Sequence, residues 1–449
     1  MRLSKACFQC RSAKRKCNRT NVTGPCDQCI SRAIDCSLGK RLSSRNTVIT
    51  PDRYPIPPLD DTVDLVDGYL WNIHDKPHSI FHCQSIRETV RQRTTPRALL
   101  FAILALGARF SSDHKLVSRG AEFAEAARFH LKQDLENICM SNVQACILIA
   151  EYAGAHSDRP AEAMYFGIAA RMVQLLQSET DSHSESVIES EVRRRVWSSC
   201  YMIDVWSSAG LGLSKQLDRT FRPQSLMRES DFQSLEPAQK VTIPVDPSPG
   251  LWVHMISLVQ IFTGVQDFHK RLLDPEIDET AIDQMAADLS VMFDRYLAEL
   301  PKDAALSDKN LEYHVQHGSG QTLIALHMGY HHYATLLYFP YLERAGSGAD
   351  RGSHFADRCK HHAASLSDII KLSMERPSCE ALYHIVGHMT TISSSVLLYT
   401  LLFGGEAELD SARARLHANF AKLMELSRLW PDSDRYVSSR DVYVKIIHG

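Results

Sequence analysis

The chain has 449 residues, of which 44% are hydrophobic, 23% are charged and 12 are cysteines, and its net charge is -3. This composition excludes a mostly disordered, collagen-like or coiled-coil protein, and so few cysteines in so long a chain exclude a disulfide-stapled miniprotein. The length allows about three domains of ordinary size.

The net charge averages two very different regions. Residues 1–50 carry 11 lysines and arginines against two acids, a net charge of +9, whereas the rest of the chain carries 39 basic and 51 acidic groups, a net charge of -12. A small basic head on a large acidic body is typical of a polyanion-binding module joined to another domain. We expect a head over residues 1–45, a linker over 46–61, a helical domain over 62–435 and a tail over 436–449.

Half of the cysteines lie in the head with the spacing C-x2-C-x6-C-x8-C-x2-C-x6-C, formed by Cys7, Cys10, Cys17, Cys26, Cys29 and Cys36. A C-x2-C pair can place two sulfurs on one tetrahedral zinc ion. Two ordinary zinc sites need eight ligands, but six suffice if two thiolates each bridge both ions. The spacing therefore predicts two Zn2+ ions. Because about 30 residues cannot bury a useful core, we expect the metal to drive folding of the head.

The N-terminal residues are charged and rich in cysteine, with no apolar stretch of signal-peptide length. The longest uninterrupted apolar run, 98–106, has nine residues, whereas a membrane-spanning helix needs about 20. We therefore expect a soluble intracellular protein that contacts no membrane and whose clustered cysteines bind metal rather than form disulfides. The six cysteines outside the head follow no motif, and we interpret them as small buried hydrophobic residues.

The segment between the second and third cysteines is strongly basic, with Arg11, Lys14, Arg15 and Lys16 among its six residues. Metal would hold both of its ends, and it is long enough for one or two helical turns that enter a major groove of DNA. Lysine or arginine in that groove can donate hydrogen bonds to O6 and N7 of guanine. The segment therefore predicts contacts with DNA bases.

Basic residues outside this segment are interpreted as contacts with the DNA backbone. Arg19 and Arg32 fit phosphate contacts, and Lys40, Arg41 and Arg45 fit phosphate contacts or a nuclear import signal.

The pattern of residues 7–36 resembles the fungal Zn2Cys6 binuclear-cluster DNA-binding domain, C-x2-C-R-x2-K-x-K-C followed by C-x2-C-x6-C. The resemblance implies that Cys7 and Cys26 bridge the two zinc ions. It also implies that Lys14 reads the guanines of a CGG triplet in double-stranded DNA, and Pro25 fits the loop proline of the family. The residue before the guanine-reading lysine is often basic in the family but is Ala13 here, which leaves fewer charges to hold the DNA.

The connector over 37–60 is polar and then rich in proline, with Pro51, Pro55, Pro57 and Pro58. Prolines at this density exclude a continuous helix. Many members of the family have a dimerising coiled coil here, but this chain has no sustained heptads. The sequence leaves open whether a monomer binds one CGG triplet or a homodimer formed elsewhere binds two.

The body repeats apolar residues at helical spacing and has almost no strand-like alternation. Helices are predicted over 97–110, 120–138, 142–152, 161–176, 189–208, 251–272, 280–300, 322–342, 356–374, 381–403 and 407–429. The predicted fold class is therefore a small zinc-nucleated Zn2Cys6 module followed by a large all-α domain.

The body also resembles a known domain, the fungal-specific transcription factor domain or middle homology region, which is all-helical and follows the cluster in the same family. The resemblance rests on 99–109 (LLFAILALGAR), 165–176 (YFGIAARMVQLL), 191–204 (EVRRRVWSSCYMID) and the segment around Trp430 and Pro431. Two positions differ from the family. Ser198 stands where a second aromatic residue usually follows Trp197, and Gly210-Leu211-Gly212 replaces a Gly-Arg-Pro-like turn.

Two histidine pairs in the body, His327/His331 and His384/His388, have the i, i+4 spacing that can clamp a metal. Neither belongs to an H-E-x-x-H motif, so we interpret both pairs as packing residues. No P-loop, G-x-G-x-x-G or G-x-S-x-G motif occurs, and we expect no enzyme activity.

Two further segments admit two interpretations. Glu191 with the arginines at 193–195 fits a site for an acidic effector, but we favour helix capping and ion pairs between helices. The acidic and hydrophobic segment 274–300 fits an activating surface, but we favour an ordinary amphipathic helix.

Taken together, the sequence predicts a nuclear, sequence-specific transcription factor of RNA polymerase II genes, whose body regulates activity and is open to a small-molecule or protein effector. Control of one pathway, such as a secondary-metabolite gene cluster, is a family habit that this chain fits. The alternative is a zinc-dependent protein-interaction scaffold whose head binds acidic groups of another protein. Activation and repression are not distinguished.

Overall fold

A computed structural model describes residues 7, 10, 13–18, 26–32, 36, 53–76, 78–177, 186–217, 226–236, 249–274, 276, 278–344 and 350–430. The predicted tail and the first part of the predicted linker, 46–52, lie outside these ranges. The chain is 75% helical, and no strand occurs in the described ranges. The predicted fold class, a cysteine-rich module followed by a large all-helical domain, is confirmed.

The chain divides into two compact units, Met1–Pro55 and Ile56–Gly449. We call the first unit the head and the second the body. The head contains a short helix, α1 (Asp27–Ile30), which begins directly after Cys26. Its buried core consists of cysteines, as expected for a module too small to bury an apolar core.

The helices of the body that the structure describes are α2 (Leu59–Asn72), α3 (Cys83–Arg91), α4 (Arg97–Gly107), α5 (His114–Ser118), α6 (Gly120–Gln133), α7 (Met140–Ala155), α8 (Arg159–Gln177), α9 (Val187–Leu211), α10 (Glu229–Gln233), α11 (Leu251–Leu272), α12 (Glu279–Glu299), α13 (Asp308–Gln316), α14 (Gly320–Tyr338), α15 (Tyr341–Arg344), α16 (Asp350–Glu375), α17 (Ile385–Phe403) and α18 (Glu406–Leu429). A single turn of 3-10 helix, Ala108–Phe110, follows α4.

Two helices that are apolar all round form the centre of the first half of the body. Every residue of α4 after Arg97 is buried, and α7 is buried along nearly its whole length. Helix α4 packs on α6, and α7 packs along α8. Gly107 allows α2 to cross α4, because a Cβ at this position would lie 1.9 Å from the carbonyl oxygen of Leu65. The glycine of the LALGAR segment is therefore required by a close approach of two helices.

The second half of the body is built from α11 to α18. Helix α14 packs along α16, and α17 and α18 pack on each other and on α16. The last described residue, Trp430, is 1% exposed and donates a hydrogen bond from its indole nitrogen to the carbonyl oxygen of Leu382. Trp430 thus anchors the end of α18 to the loop before α17.

Several predicted helix limits were wrong. The predicted helix 120–138 ends at Gln133, and a side-chain amide of Asn142 donates to the carbonyl oxygen of Asp134 where the chain turns. The predicted helix 322–342 breaks after Tyr338, since Pro340 cannot continue a helix. Helix α9 runs past its predicted end at 208 and stops at Gly212, whose φ of +65° lies in the left-handed region that favours glycine.

One helix of the described ranges, α17, is long and apolar enough to cross a membrane by composition alone. Half of its most apolar window is buried within the body. Its buried hydroxyls are paired, since Ser393 contacts Ser367 and Ser394 accepts a hydrogen bond from Asn419. These contacts are those of a core helix in a helical bundle.

Buried histidines make the stability of the body sensitive to acid. Burial lowers the pKa of His78 to about 4 and, together with the neighbouring His331, lowers the pKa of His362 to about 2. Below about pH 6.5 the unfolded chain binds protons on these rings and the folded chain does not. Each such histidine therefore lowers the free energy of unfolding by about 1 kcal/mol for every unit by which the pH decreases. Burial lowers the pKa of His384, but its hydrogen bond with Glu151 outweighs burial and raises that pKa. The folded chain therefore keeps a proton on His384, which offsets part of the loss of stability at low pH.

We therefore expect the thermal midpoint of the helical circular dichroism signal to be lower at pH 5.5 than at pH 7.5. His362→Gln should narrow the difference between the two midpoints, whatever it does to each midpoint alone. Equal midpoints for the unmodified chain at both pH values would contradict this interpretation.

Candidate metal centre and nucleic-acid interface

The six cysteines of the head come together in space. Cys7, Cys10, Cys26, Cys29 and Cys36 are buried, and Cys17 is half-buried against them. The Sγ atom of Cys7 lies 3.7 Å from the Sγ atoms of both Cys26 and Cys29, and the Sγ atom of Cys10 lies 3.6 Å from that of Cys26. These separations are far longer than a disulfide bond of about 2.05 Å.

The sulfurs form two groups of four, with the members of each group within 4.8 Å of one another. One group contains Cys7, Cys10, Cys17 and Cys26, and the other contains Cys7, Cys26, Cys29 and Cys36. Cys7 and Cys26 belong to both groups. Six thiols thus provide two complete sets of four ligands.

The two halves of the head repeat one backbone arrangement. The amide N–H of Cys7 donates to the sulfur of Cys17 at 3.4 Å, and the amide N–H of Cys26 donates to the sulfur of Cys36 at 3.3 Å. Each donor precedes its acceptor by ten residues. The repeated C-x2-C-x6-C spacing therefore folds into a repeated loop, and the first cysteine of each loop is the one shared by both groups.

The spacing of the sulfurs fits zinc. Zinc–thiolate bonds of about 2.3 Å in a tetrahedron place neighbouring sulfurs about 3.8 Å apart, and the observed separations are 3.6 and 3.7 Å. Thiolates are also the ligands of structural zinc sites. The cluster can therefore hold metal.

The pKa values of the thiols show that the clustered cysteines interact strongly with one another. Burial raises the pKa of Cys26, but hydrogen bonds from Cys29 outweigh it and lower the pKa to about 6. Burial and the thiols of Cys7 and Cys26 raise the pKa of Cys10 to about 12. Thiols this close do not all ionise together without a cation, because each thiolate repels the next.

The basic segment ends in a defined backbone turn. Cys10 is helical, the amide N–H of Arg15 donates to the carbonyl oxygen of Cys10 at 2.8 Å, and Lys14 has a φ of +50°. Such a bond, with a left-handed residue just before its donor, is the geometry of a Schellman turn. Arg15 and Lys16 follow this turn in irregular backbone. Residues 11 and 12 lie outside the described residues, so the predicted helical turns of this segment stay a prediction.

The predicted DNA contacts that the structure describes are accessible. Lys14, Arg15 and Lys16 are exposed, and Arg32 is exposed in the turn that follows α1. Arg11 and Arg19 lie outside the described residues. Sequence reasoning did not indicate the left-handed conformation of Lys14, because only glycine and asparagine announce that conformation by residue type.

The histidines of the two pairs in the body contact neighbouring groups, as their interpretation as packing residues expects. His327 contacts the carbonyl oxygen of Ala304, whereas His331 contacts His362, and His384 contacts Glu151. The described residues hold no cluster of three or more potential metal ligands apart from the cysteines of the head.

The ion-pairing role expected around Glu191 is confirmed, but its form was partly wrong. Glu191 pairs within its own helix, which Ser186 and Glu189 cap, and the pair between helices is that of Arg195 with Glu229 at 3.9 Å.

The carboxylate of Glu191, which is fully buried, accepts hydrogen bonds from Arg194 and Arg195 on the same helix and from the amide of Met227. Arg195 is 1% exposed, donates to the hydroxyl of Ser79 and to the carbonyl oxygen of Met227, and lies over the ring of Phe232. Arg193, the first of the three arginines, lines a cavity of the body.

Two other interpretations of the body have mixed outcomes. Segment 274–300 forms α12, an amphipathic helix that buries Ile282, Ala286, Leu289 and Phe293, as predicted.

Of the six cysteines of the body, Cys146, Cys200, Cys359 and Cys379 are buried, but Cys83 and Cys139 are only half-buried. The interpretation of those two as buried residues was wrong, since both flank the start of a helix at the surface of the core.

Comparison with known proteins finds relatives of the body. Residues 68–277 match the family described as fungal specific transcription factor domain. The chain is 24% identical over 313 residues to an uncharacterized transcriptional regulatory protein of Schizosaccharomyces pombe, covering 62% of this chain and 32% of that protein. It is 22% identical over 423 residues to a Zn(2)-C6 fungal-type transcription factor of Fusarium oxysporum, covering 84% of this chain and 44% of that protein.

These comparisons confirm the resemblance predicted from the sequence. The chain spans less than half of the length of either relative. No solved structure matches it.

Proposed function

We propose that this chain, whose body carries a fungal specific transcription factor domain, is a sequence-specific DNA-binding regulator of RNA polymerase II transcription in the nucleus. The observation that carries the proposal is the six-thiol cluster, with two sets of four ligands and an exposed lysine in the adjoining backbone turn. We propose a binding role and no catalysis, with control of one pathway, such as a secondary-metabolite gene cluster, as the target class.

The cluster would hold two Zn2+ ions through Cys7, Cys10, Cys17, Cys26, Cys29 and Cys36. Cys7 and Cys26 would bridge the ions, since they alone belong to both groups of sulfurs. Two zinc ions and six thiolates have a net charge of about -2. The lysines and arginines of the head offset this charge and give the module its positive field.

The basic residues of the head would have different roles in binding DNA. Lys14 would read guanines of a CGG triplet, assisted in the groove by Arg11, Arg15 and Lys16. Arg19 and Arg32 would contact phosphates and fix the register. The body, with its net charge of -12, repels the DNA backbone and leaves the contact to the head.

Replacing Lys14 tests the reading of bases. For the zinc-loaded full chain, Lys14→Ala should reduce discrimination between CGG-containing and scrambled duplexes by about 1–3 kcal/mol, because the donor to guanine is lost. Fluorescence anisotropy of labelled duplexes measures both affinities. An equal loss of affinity for the two duplexes would refute base reading by Lys14.

A glycine at the same position is the matched control for folding. Because glycine adopts positive φ without strain, Lys14→Gly should keep the turn and the zinc content while losing the same discrimination. If Lys14→Gly keeps discrimination and Lys14→Ala loses it, the backbone turn and not the side chain is responsible.

Arg32→Ala should behave differently. It removes a phosphate contact, so affinity for all sequences should fall alike and the slope of log affinity against log salt should become shallower by about one. A loss confined to CGG-containing DNA would contradict the phosphate role. Absence of any salt-sensitive DNA binding by the zinc-loaded chain would favour the alternative, a zinc-dependent protein-interaction scaffold.

The body is proposed to regulate this reader through an effector and to provide any homodimer contact. Genome-wide mapping of bound sites measures the spacing of CGG triplets. Paired triplets at a fixed spacing indicate a homodimer, and single triplets indicate a monomer.

A further inference from the structure

The six thiols of the head are not equally protected from solvent. Five of them are buried, with exposed fractions between 0 and 8%, whereas Cys17 is half-buried. We call Cys7, Cys10, Cys17 and Cys26 the first group, and Cys7, Cys26, Cys29 and Cys36 the second group. The first group therefore contains the one thiol of the cluster that a solute can reach, and every thiol of the second group is buried.

The internal repeat of the head provides a matched comparison for Cys17. Cys17 and Cys36 hold equivalent places, since the sulfur of each accepts a hydrogen bond from the amide N–H of the cysteine ten residues before it. Cys36, however, is only 8% exposed. The two positions thus share this backbone hydrogen bond and differ in their access to solvent.

The charges next to the two positions differ as well. Lys14, Arg15 and Lys16 come directly before Cys17 and are exposed, whereas the three residues directly before Cys36 include one acid and no base. Reactive cysteines lie in partly exposed, electropositive surroundings, and buried structural cysteines are inert. Exposure and charge therefore both direct chemical attack to Cys17.

We propose that Cys17 is a modification site, at which a hydroperoxide oxidises the first group and leaves the second group intact. With hydrogen peroxide, the sulfur of Cys17 attacks one oxygen, so that an S–O bond forms, the O–O bond breaks and hydroxide leaves. Two electrons pass from sulfur to oxygen, and Cys17 becomes a sulfenic acid.

A second thiol of the first group completes the oxidation. The sulfur of Cys10 lies within 4.8 Å of that of Cys17. It attacks the sulfenic acid, forms a disulfide and displaces a second hydroxide. Cys10 is the partner because Cys7 and Cys26 are also held by the second group, whereas Cys10 and Cys17 belong to the first group alone.

The disulfide changes the two groups in different ways. The first group keeps two free thiols and can no longer hold a tetrahedral ion, while the second group keeps all four. The segment that carries Lys14 lies between Cys10 and Cys17 and loses its metal anchors at both ends. This last step rests on the proposed function: oxidation lowers DNA affinity until a thiol reductant and zinc restore the site.

Limited oxidation of the zinc-loaded full chain by hydrogen peroxide tests the proposal. A chromogenic chelator measures zinc release against a sample without peroxide, and mass spectrometry of alkylated peptides identifies the oxidised cysteines. We expect one zinc ion per chain to leave at least about tenfold faster than the other, together with formation of the Cys10–Cys17 disulfide. Release of both ions at one rate, or earlier oxidation of Cys29 or Cys36, would overturn the proposal.

The half-buried cysteines of the body provide the matched control. A chain with both Cys83→Ser and Cys139→Ser lacks the other half-buried thiols and should release its first zinc ion at an unchanged rate. A slower release would place the attack in the body and exclude Cys17 as the site.

DNA affinity is followed in the same samples by fluorescence anisotropy. It should fall in step with formation of the disulfide and recover when a thiol reductant and zinc are added. Loss of the first ion with unchanged DNA affinity would refute a regulatory role for Cys17. The zinc and peptide measurements need no DNA, so a chain that never binds DNA refutes the proposed function while the oxidation site is still tested.

Discussion

Replacing Cys26 with serine is expected to remove both metal sites of the head at once. Cys26 belongs to both groups of four sulfurs, and each group then has three thiols. Structural zinc contributes about 10–16 kcal/mol to the folding of such modules, so no other single change should have a larger effect. Zinc content by plasma mass spectrometry should fall to less than one ion per chain, and DNA binding should be lost.

Two other cysteine variants give this experiment its controls. Cys17→Ser leaves the group of Cys7, Cys26, Cys29 and Cys36 complete, so it should retain about one zinc ion while the head loses the stability of the other site. Cys139→Ser changes a half-buried cysteine at the N-cap of α7, where serine is favourable, and should keep full zinc content. Unchanged zinc in Cys26→Ser, or equal loss in all three variants, would refute the shared-sulfur arrangement.

Replacing Glu191 with alanine should destabilise the body by about 3–5 kcal/mol. This change leaves the guanidinium of Arg195 without its nearest carboxylate in a fully buried site, with only Glu229 at 3.9 Å remaining, and poorly compensated buried charge is costly. It also removes the acceptor for the amide of Met227. Urea unfolding followed by circular dichroism measures the effect as a lower midpoint.

Arg194→Ala is the matched control for Glu191→Ala. It removes the other ion pair of the same carboxylate, but the side chain of Arg194 is 31% exposed. Exposed pairs contribute less than about 1 kcal/mol, so the midpoint should hardly change. Comparable losses in the two variants would show that the network is not dominated by its buried part.

Local sequence patterns correctly predicted the features that depend on residues close together in the chain. The cysteine spacing indicated the cluster because each C-x2-C pair is a short-range constraint, and the apolar segments of α4 and α7 indicated buried helices because they have no polar face. Partners from distant segments were beyond such patterns. Nothing local assigns Ser79 and Met227 to Arg195, although the three arginines after Glu191 did indicate ion pairs.

The positions where helices end also show the difference between local sequence signals and contacts with distant residues. Pro340 is a local signal, and a stricter use of it would have ended α14 correctly. The end of α6 depends on Asn142 from the next helix, and the turn at Lys14 depends on metal ligands on both sides of it. Neither is visible in residue type or period, since tertiary contacts decide both.

The sharing of Cys7 and Cys26 also has a consequence for biosynthesis. The first set of four ligands is completed only by Cys26, a residue of the second half of the head, so neither half alone presents a full tetrahedral site. If the head binds zinc as proposed, a nascent chain that has extended only to Cys17 offers three of the four thiols of the first set. Metal capture would then wait until Cys26 has left the ribosome and would be completed after Cys36.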